Sequence, residues 1–301
     1  MSPAPHPAPR TVPVRGRPRR AGALLLLAGA LLIACGLVAC VDDQRAALPA
    51  AQGDLLERVL HDKRVRIGVK ADTPPFGMAQ GGGYVGFDID IATALASALG
   101  IEDIEFVPVT SANRMDKIEK GEVDMLVASM SITRYRERRV DFSLPYFQDG
   151  QGLLVKHGSA VGGYLDLAGR RVGTVKGSSS SYYLHQVSPD STPVVVADFP
   201  ALLALLEHDQ VEAITSDQTI LIGLMANAPD PAAYRLAGAP FTVEPYGIAL
   251  PQNQSHWRNA IDRALMEICE RGQWQAITDL WFGPGTKYAH RIDFHPPIYP
   301  R

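Results

Sequence analysis

Between residues 64 and 282 the chain alternates short apolar runs with amphipathic stretches, and that alternation leaves few folds open to it. The runs RVRIGV (64–69), IEFVPV (104–109), DMLVA (124–128), GLLVK (152–156), PVVVA (193–197), EAITS (212–216) and YGIAL (246–250) have the length and branched composition of strands. Between them lie helical patterns. GFDIDIATALASALG (86–100) places Ile91, Leu95 and Leu99 on one face and stops at a glycine. SANRMDKIEKG, FPALLALLEH, DQTILIGLMA, HWRNAIDRALMEICERG and the shorter QWQAITDLWF follow in turn. RRVGTVKGSSSSYYLHQV (170–187) reads as strand, polar loop and helix. Strands separated by helices predict an α/β protein with mainly parallel strands.

The amino end does not share this pattern. Residues 1–39 hold five arginines and no acidic side chain. Arg15 to Arg20 form a basic region, and the apolar run 21–34 has the length of a signal-peptide core, short for a membrane span. LIAC and LVAC, ending at Cys35 and Cys40, both resemble the lipobox of bacterial lipoproteins, whose cysteine becomes the lipid-modified first residue. Cys40 is preferred, because the polar VDDQ after it suits a tether, whereas cleavage at Cys35 would expose GLVACV. Signal peptide 1–39 and linker 40–54 are therefore expected. The rest of the chain carries 24 basic and 32 acidic residues. So acidic a chain is a poor partner for nucleic acid, which requires a basic face. The remaining cysteine, Cys269, lies in a helical pattern and reads as a small buried apolar residue. No metal-ligand cluster or cofactor motif appears.

VASMSITRYRERRVDFSLPYF (127–147) puts Arg134, Arg136, Arg138 and Arg139 between two apolar segments. The cluster suits a solvated surface, a nucleic-acid patch or a receptor for one small anion. Arg136 stands a few residues past a strand's carboxyl end, near the hydroxyls of Ser131 and Thr133. There a guanidinium can grip a carboxylate with two parallel hydrogen bonds. The other three are expected in solvent. IEKGEVDMLVAS (118–129) and LEHDQVEAITSD (206–217) align without gaps, each running from helix end through a polar turn into a strand. Their strands end at Ser129 and Asp217, and open α/β sheets bind ligands beyond the carboxyl ends of strands. Two such units face to face would set these residues on opposite walls of one cleft. Asp217 is a candidate helix cap or a counter-charge for an ammonium group. KGSSSS (176–181), with Ser178 and Ser179, is a serine cap or an anion site. It lacks the glycine spacing of a nucleotide phosphate loop.

GFDIDIATALASALG, KGEVDMLVASMSITRYRERRVDFSLPYF, VGTVKGSSS and VEPYGIALP together resemble the extracytoplasmic solute-binding proteins of polar amino-acid ABC transporters, over residues 65–282 and in the right order. The resemblance implies a type II periplasmic-binding-protein fold: two three-layer α/β lobes joined by two crossover strands, here GLLVK and YGIAL. It divides the chain into 55–152 and 246–290 for the first lobe, 153–245 for the second and 291–301 for a tail. It implies that Arg136 grips the ligand's α-carboxylate, with Ser129, Met130 and Ser131 beside it. Ser178 and Ser179 then contact the same carboxylate from the second lobe, and Asp217 takes the ammonium. Lys70 and Arg114 match positions of the glutamate/aspartate branch that would meet a side-chain carboxylate. Thr73 departs from branches that cover the ligand with an aromatic ring, and Phe76 is expected to supply an apolar wall. The implied protein is a monomer on a lipid anchor that closes on a free amino acid and delivers it to a membrane permease. Sensing on the same fold, and a cyclohexadienyl dehydratase activity, are the alternatives; the second wants a general acid that only Asp217 offers.

Overall fold

The computed structural model of the chain describes residues 53–300; Cys35, Cys40 and the basic amino end lie outside the described residues. In chain order the elements are α1 (Leu55–Asp62), β1 (Arg64–Lys70), β2 (Asp72–Thr73), β3 (Gly77–Gln80), β4 (Gly83–Val85), α2 (Phe87–Ala98), β5 (Asp103–Val109), α3 (Arg114–Glu119), β6 (Met125–Leu126) and β7 (Asp141–Asp149). The chain continues through β8 (Gln151–Lys156), β9 (Arg171–Val175), α4 (Ser180–Val187), β10 (Thr192–Val196), α5 (Phe199–Glu207), β11 (Ala213–Asp217), α6 (Gln218–Asn227), β12 (Tyr234–Leu236), β13 (Glu244–Leu250), α7 (Ser255–Glu270) and α8 (Gln273–Phe282).

Two five-stranded sheets result, in the orders β5-β1-β6-β13-β7 and β10-β9-β11-β8-β12, with β2, β3 and β4 forming a small third sheet. In each large sheet the first three strands are parallel. The last two join antiparallel. Both large sheets are apolar on both faces. Leu153 and Val155 of β8 point into one cluster and Leu154 between them into another. Met125 and Val127 likewise oppose Leu126 and Ala128. Successive strand side chains face opposite ways, so burying both sets requires cover on both sides of the sheet. The fold is thus two α/β lobes.

Neither expected crossover strand spans the lobes. GLLVK lies within the second sheet and YGIAL within the first. The chain passes between sheets at Gly150, where β7 ends and β8 begins, and returns between β12 and β13. The two passages are tied together: Gln151 N donates to Thr242 Oγ1 at 2.7 Å and Phe241 N to the Gln151 carbonyl at 2.9 Å. A Cβ on Gly150 would sit 2.2 Å from the Thr242 carbonyl oxygen. Backbone cannot swing aside as a side chain can, so Gly150→Ala is expected to lower unfolding free energy by roughly 1–3 kcal/mol. Urea titration followed by circular dichroism measures it.

β7 escaped the sequence reading because Pro145 interrupts it. The strand tolerates proline at the sheet edge, where the partner register with β13 also slips. Asp54, assigned to the linker, accepts from Leu56 N at 3.0 Å and caps α1. In the tail, Phe294 and His295 pack against the Trp274 ring. Cys269 is half-buried, and burial pushes its thiol up to about 11.

Candidate ligand-binding site

The carboxyl ends of β1, β6 and β11 and the loop entering α4 meet at one narrow pocket between the lobes, with about 20 Å³ open to the centre of a water-sized sphere. From the first lobe it is lined by Lys70, Thr73, Ser111, Arg114, Ser129 and Ser131. From the second come Ser178, Ser179, Phe199, Ser216, Asp217 and Ile220. Ser129 and Asp217, aligned by the internal correspondence, line the same pocket.

The loop after β6 is held by buried charges. Ser129 adopts a left-handed backbone (φ 44°), uncommon for a residue with a side chain. The Asp88 carboxylate secures it, accepting from Ser129 N at 2.7 Å and Ser129 Oγ at 3.2 Å, while Tyr146 OH donates to its other oxygen at 2.8 Å. Arg114 grips the same turn from beneath, donating to the Ala128 and Ser129 carbonyls at 2.6 and 3.3 Å. Its Nη1 is given to backbone, while its buried Nε has no hydrogen-bond partner among the described residues and the side chain lines the pocket. Burial lowers Arg114 to about 9 and raises Asp88 to about 7. The folded chain therefore holds the Asp88 proton up to about pH 7, whereas the unfolded chain releases it near the ordinary aspartate value. Stability from this site falls as pH rises from about 4 to 7, by up to about 1.4 kcal/mol per pH unit. Asp88→Asn is expected to flatten that slope, measured as the wild-type-minus-variant difference in unfolding free energy at pH 5 and pH 7.

Lys70 is 1% exposed. Its ammonium pairs with Asp72 at 2.9 Å, lies 3.5 Å from Ser111 Oγ and sits 5.2 Å from the centre of the Phe199 ring on the other lobe. Burial pushes its pKa down, and Asp72 opposes that shift.

Of the four clustered arginines only Arg136 is buried, at 6% exposed. Arg134 and Arg138 are exposed, and Arg139 pairs with Glu119 and Asp116. Arg136 sits behind Ser131. It donates to the Ser131 carbonyl at 2.8 Å and reaches across to the Gly177 carbonyl of the second lobe at 3.4 Å. Burial lowers its pKa, while Asp217 and then Glu244 are the anions that most favour its charge. Asp217 occupies the N-cap position of α6 yet makes no capping bond. Its two carboxylate oxygens instead accept from Gln151 Nε2 and Tyr246 OH. Burial, with Glu244 and Asp149 adding to it, raises its pKa well above the usual carboxylate range. Guanidinium and acid belong to separate lobes and act on each other through charge.

Three expected site residues are outside the pocket lining: Arg136, and Phe76 and Met130, which lie in the core. Phe76 is fully buried in an aromatic cluster, its ring 5.1 Å from Phe147 and 5.4 Å from Tyr246. Met130 is equally buried, packed in the core with Val109 and Ala249. The apolar wall comes from Phe199 and Ile220. Ser178 Oγ donates to the Val175 carbonyl at 2.7 Å, so its hydroxyl closes its own turn. The sequence reading missed Asp88, Tyr146, Gln151, Glu244 and Tyr246. Asp88 reads as an ordinary acid in a helix's first turn; only its burial distinguishes it.

Two lobes, each ending parallel strands at a shared cleft where Lys70 and Arg114 of one lobe face Asp217 of the other, form a geometry that suits a small zwitterion. Residues 65–284 match the bacterial extracellular solute-binding proteins, family 3. The chain belongs to this family. Over 261 residues it is 36% identical to the glutamine-binding protein of an ABC transporter from Bacillus subtilis (strain 168), covering 85% of this chain and 93% of that protein. Among solved structures, an ancestral arginine-binding protein bound to glutamine superposes with a TM-score of 0.70 at 34% identity, covering 73% of this chain and 98% of that one. An ancestral amino acid-binding protein, described as a precursor of cyclohexadienyl dehydratase, gives 0.69 at 27% identity over 75% and 98% of the two chains. The solute-binding family thus accounts for both lobes. No helix among the described residues is long and apolar enough to cross a membrane.

Proposed function

We propose that this extracytoplasmic protein binds a free L-amino acid whose side chain ends in a neutral amide, of glutamine type, and presents it to the permease of an ABC importer. The observation that carries the choice of side chain is the Lys70–Asp72 ion pair, 2.9 Å long, of which Lys70 lines the pocket and Asp72 adjoins it through Lys70. An ammonium beside a carboxylate offers one donor head and one acceptor head. An amide matches both, its carbonyl accepting from Lys70 and its NH2 donating to Asp72. A side-chain carboxylate would satisfy Lys70 but meet Asp72 as a like charge. The acidic ligand expected from Lys70 and Arg114 is therefore set aside: Lys70 is already paired, and the Nη1 of Arg114 is given to the backbone of its own lobe. The glutamine-binding relative from Bacillus subtilis and the ancestral protein solved with glutamine support the same choice.

In this reading Arg136 supplies the positive field for the α-carboxylate and Asp217 receives the α-ammonium. A ligand touching both lobes favours the closed arrangement over the open one. Cys40 carries the lipid that keeps the protein, as a monomer, at the membrane. Calorimetry and thermal shift with the twenty amino acids test it. A ligand that binds only the folded state raises the melting temperature in proportion to its occupancy. Glutamine is expected to bind at least about tenfold tighter than glutamate, and Asp72→Asn to narrow that gap. Glutamate binding tighter than glutamine would overturn the specificity, and silence across the whole panel would overturn the receptor.

A further inference from the structure

We infer that Glu244 is an interlobe clamp, a positioning residue whose carboxylate takes one serine hydroxyl from each lobe and so sets the strength with which closure retains the ligand. Glu244 opens β13 opposite Asp149 of β7, where the chain returns to the first lobe, and is 1% exposed. Its Oε2 accepts from Ser131 Oγ of the first lobe at 2.5 Å and from Ser179 Oγ of the second at 2.8 Å. Its Oε1 accepts from Gln151 Nε2 at 2.7 Å and Thr242 Oγ1 at 3.1 Å, one from each connecting segment. Four donors from four parts of the chain converge on one buried carboxylate.

Two consequences follow from the donor inventory. A serine hydroxyl has a single hydrogen. With those hydrogens given to Glu244, Ser131 and Ser179 cannot also donate to the ligand's carboxylate, the role the resemblance implied for them. The two serines also stand on opposite lobes, so the pair of bonds exists only while the lobes are together. Opening separates the serines and breaks at least one bond, and bonds to an ionised acceptor are the stronger kind. The clamp therefore favours the closed form without touching the ligand.

The inference rests on the amino-acid receptor reading for its affinity readout only. Glu244→Gln keeps the shape but turns a donor NH2 toward neighbours that are all donors; Ser179→Ala removes one hydroxyl, and Ser179→Thr keeps it. Each of the first two is expected to raise the dissociation constant for glutamine about tenfold or more, with Ser179→Thr near wild type. The double variant is expected to be no worse than about the worse single, because both changes remove the same bond. Effects that multiply would place the serine hydroxyl on the ligand and overturn the clamp, as would an unchanged constant in Glu244→Gln. Small-angle scattering of the ligand-free proteins gives a second reading: a larger radius of gyration in both single variants is expected, and an unchanged one overturns the proposal. That measurement holds even if wild type binds no amino acid, so failure of the receptor and failure of the clamp are distinguishable. Should Glu244→Gln not fold, Ser131→Ala and Ser179→Ala carry the same comparison.

Discussion

Arg136→Ala is expected to raise the dissociation constant for the amino acid by at least about a hundredfold while leaving the far-ultraviolet circular dichroism of the protein unchanged. Arg136 is the buried cation nearest the second lobe, reaching the Gly177 carbonyl at 3.4 Å. The acids that face it are Asp217 and Glu244, and Asp149, raised by burial to about 7, lies close behind them. Without the guanidinium a ligand carboxylate would face Asp217 and Glu244 with only Lys70, already paired with Asp72, and Arg114 to offset them. The lost attraction and the less opposed repulsion act in the same direction, and a hundredfold corresponds to about 2.7 kcal/mol, within the range of one charge-assisted bond. Arg136→Lys is expected to rescue little of it. An ammonium is a point charge and cannot span the Ser131 and Gly177 carbonyls as the planar fork does. Calorimetry on both variants is the check, and an affinity within threefold of wild type in Arg136→Ala would remove this residue from the binding site.

Gly223→Ala is expected to split stability from affinity. Gly223 lies inside α6 of the second lobe, and a Cβ there would stand 2.0 Å from the Pro74 carbonyl oxygen of the first. Within the helix alone, alanine is preferred to glycine by about 1 kcal/mol. The isolated second lobe therefore gains, if anything, from the change. The closed arrangement loses, because the obstruction is backbone on both sides and no rotamer relieves it. Closure must stop short, the two walls no longer reach the ligand together, and the dissociation constant rises about tenfold or more. The melting temperature of the ligand-free protein is expected to stay level or rise. Affinity and ligand-induced compaction both at wild-type values would show that the lobes do not meet at this point.

How much of this was legible in the residues depends on the range of the interaction. α2, α5, α7 and the strands β1 and β9 were readable because their apolar spacing reports local geometry. Arg136 was separable from Arg134 and Arg138 because the family resemblance matches it to the arginine that grips the ligand's carboxylate. That Lys70 is already paired was not legible, for an instructive reason. Its partner Asp72 is two residues away in sequence, yet two residues along an extended chain can point together or apart, and only the bend between β1 and β2 brings them to 2.9 Å. Phe76 differs: an aromatic beside a binding loop looks like a wall until four other rings are found around it.

From its sequence alone the chain determined its alternating elements and its two-lobed family, and offered Lys70, Arg114 and Asp217, which the fold brings to one pocket. Each of these is written in periodicity or in a short motif. The tertiary structure decided which charges are already neutralised, where the chain crosses between lobes, and that Ser131 and Ser179 serve Glu244. Those outcomes depend on groups separated by up to 113 residues meeting at hydrogen-bond distance. Whether a buried polar group is free or satisfied is a property of its neighbours in space.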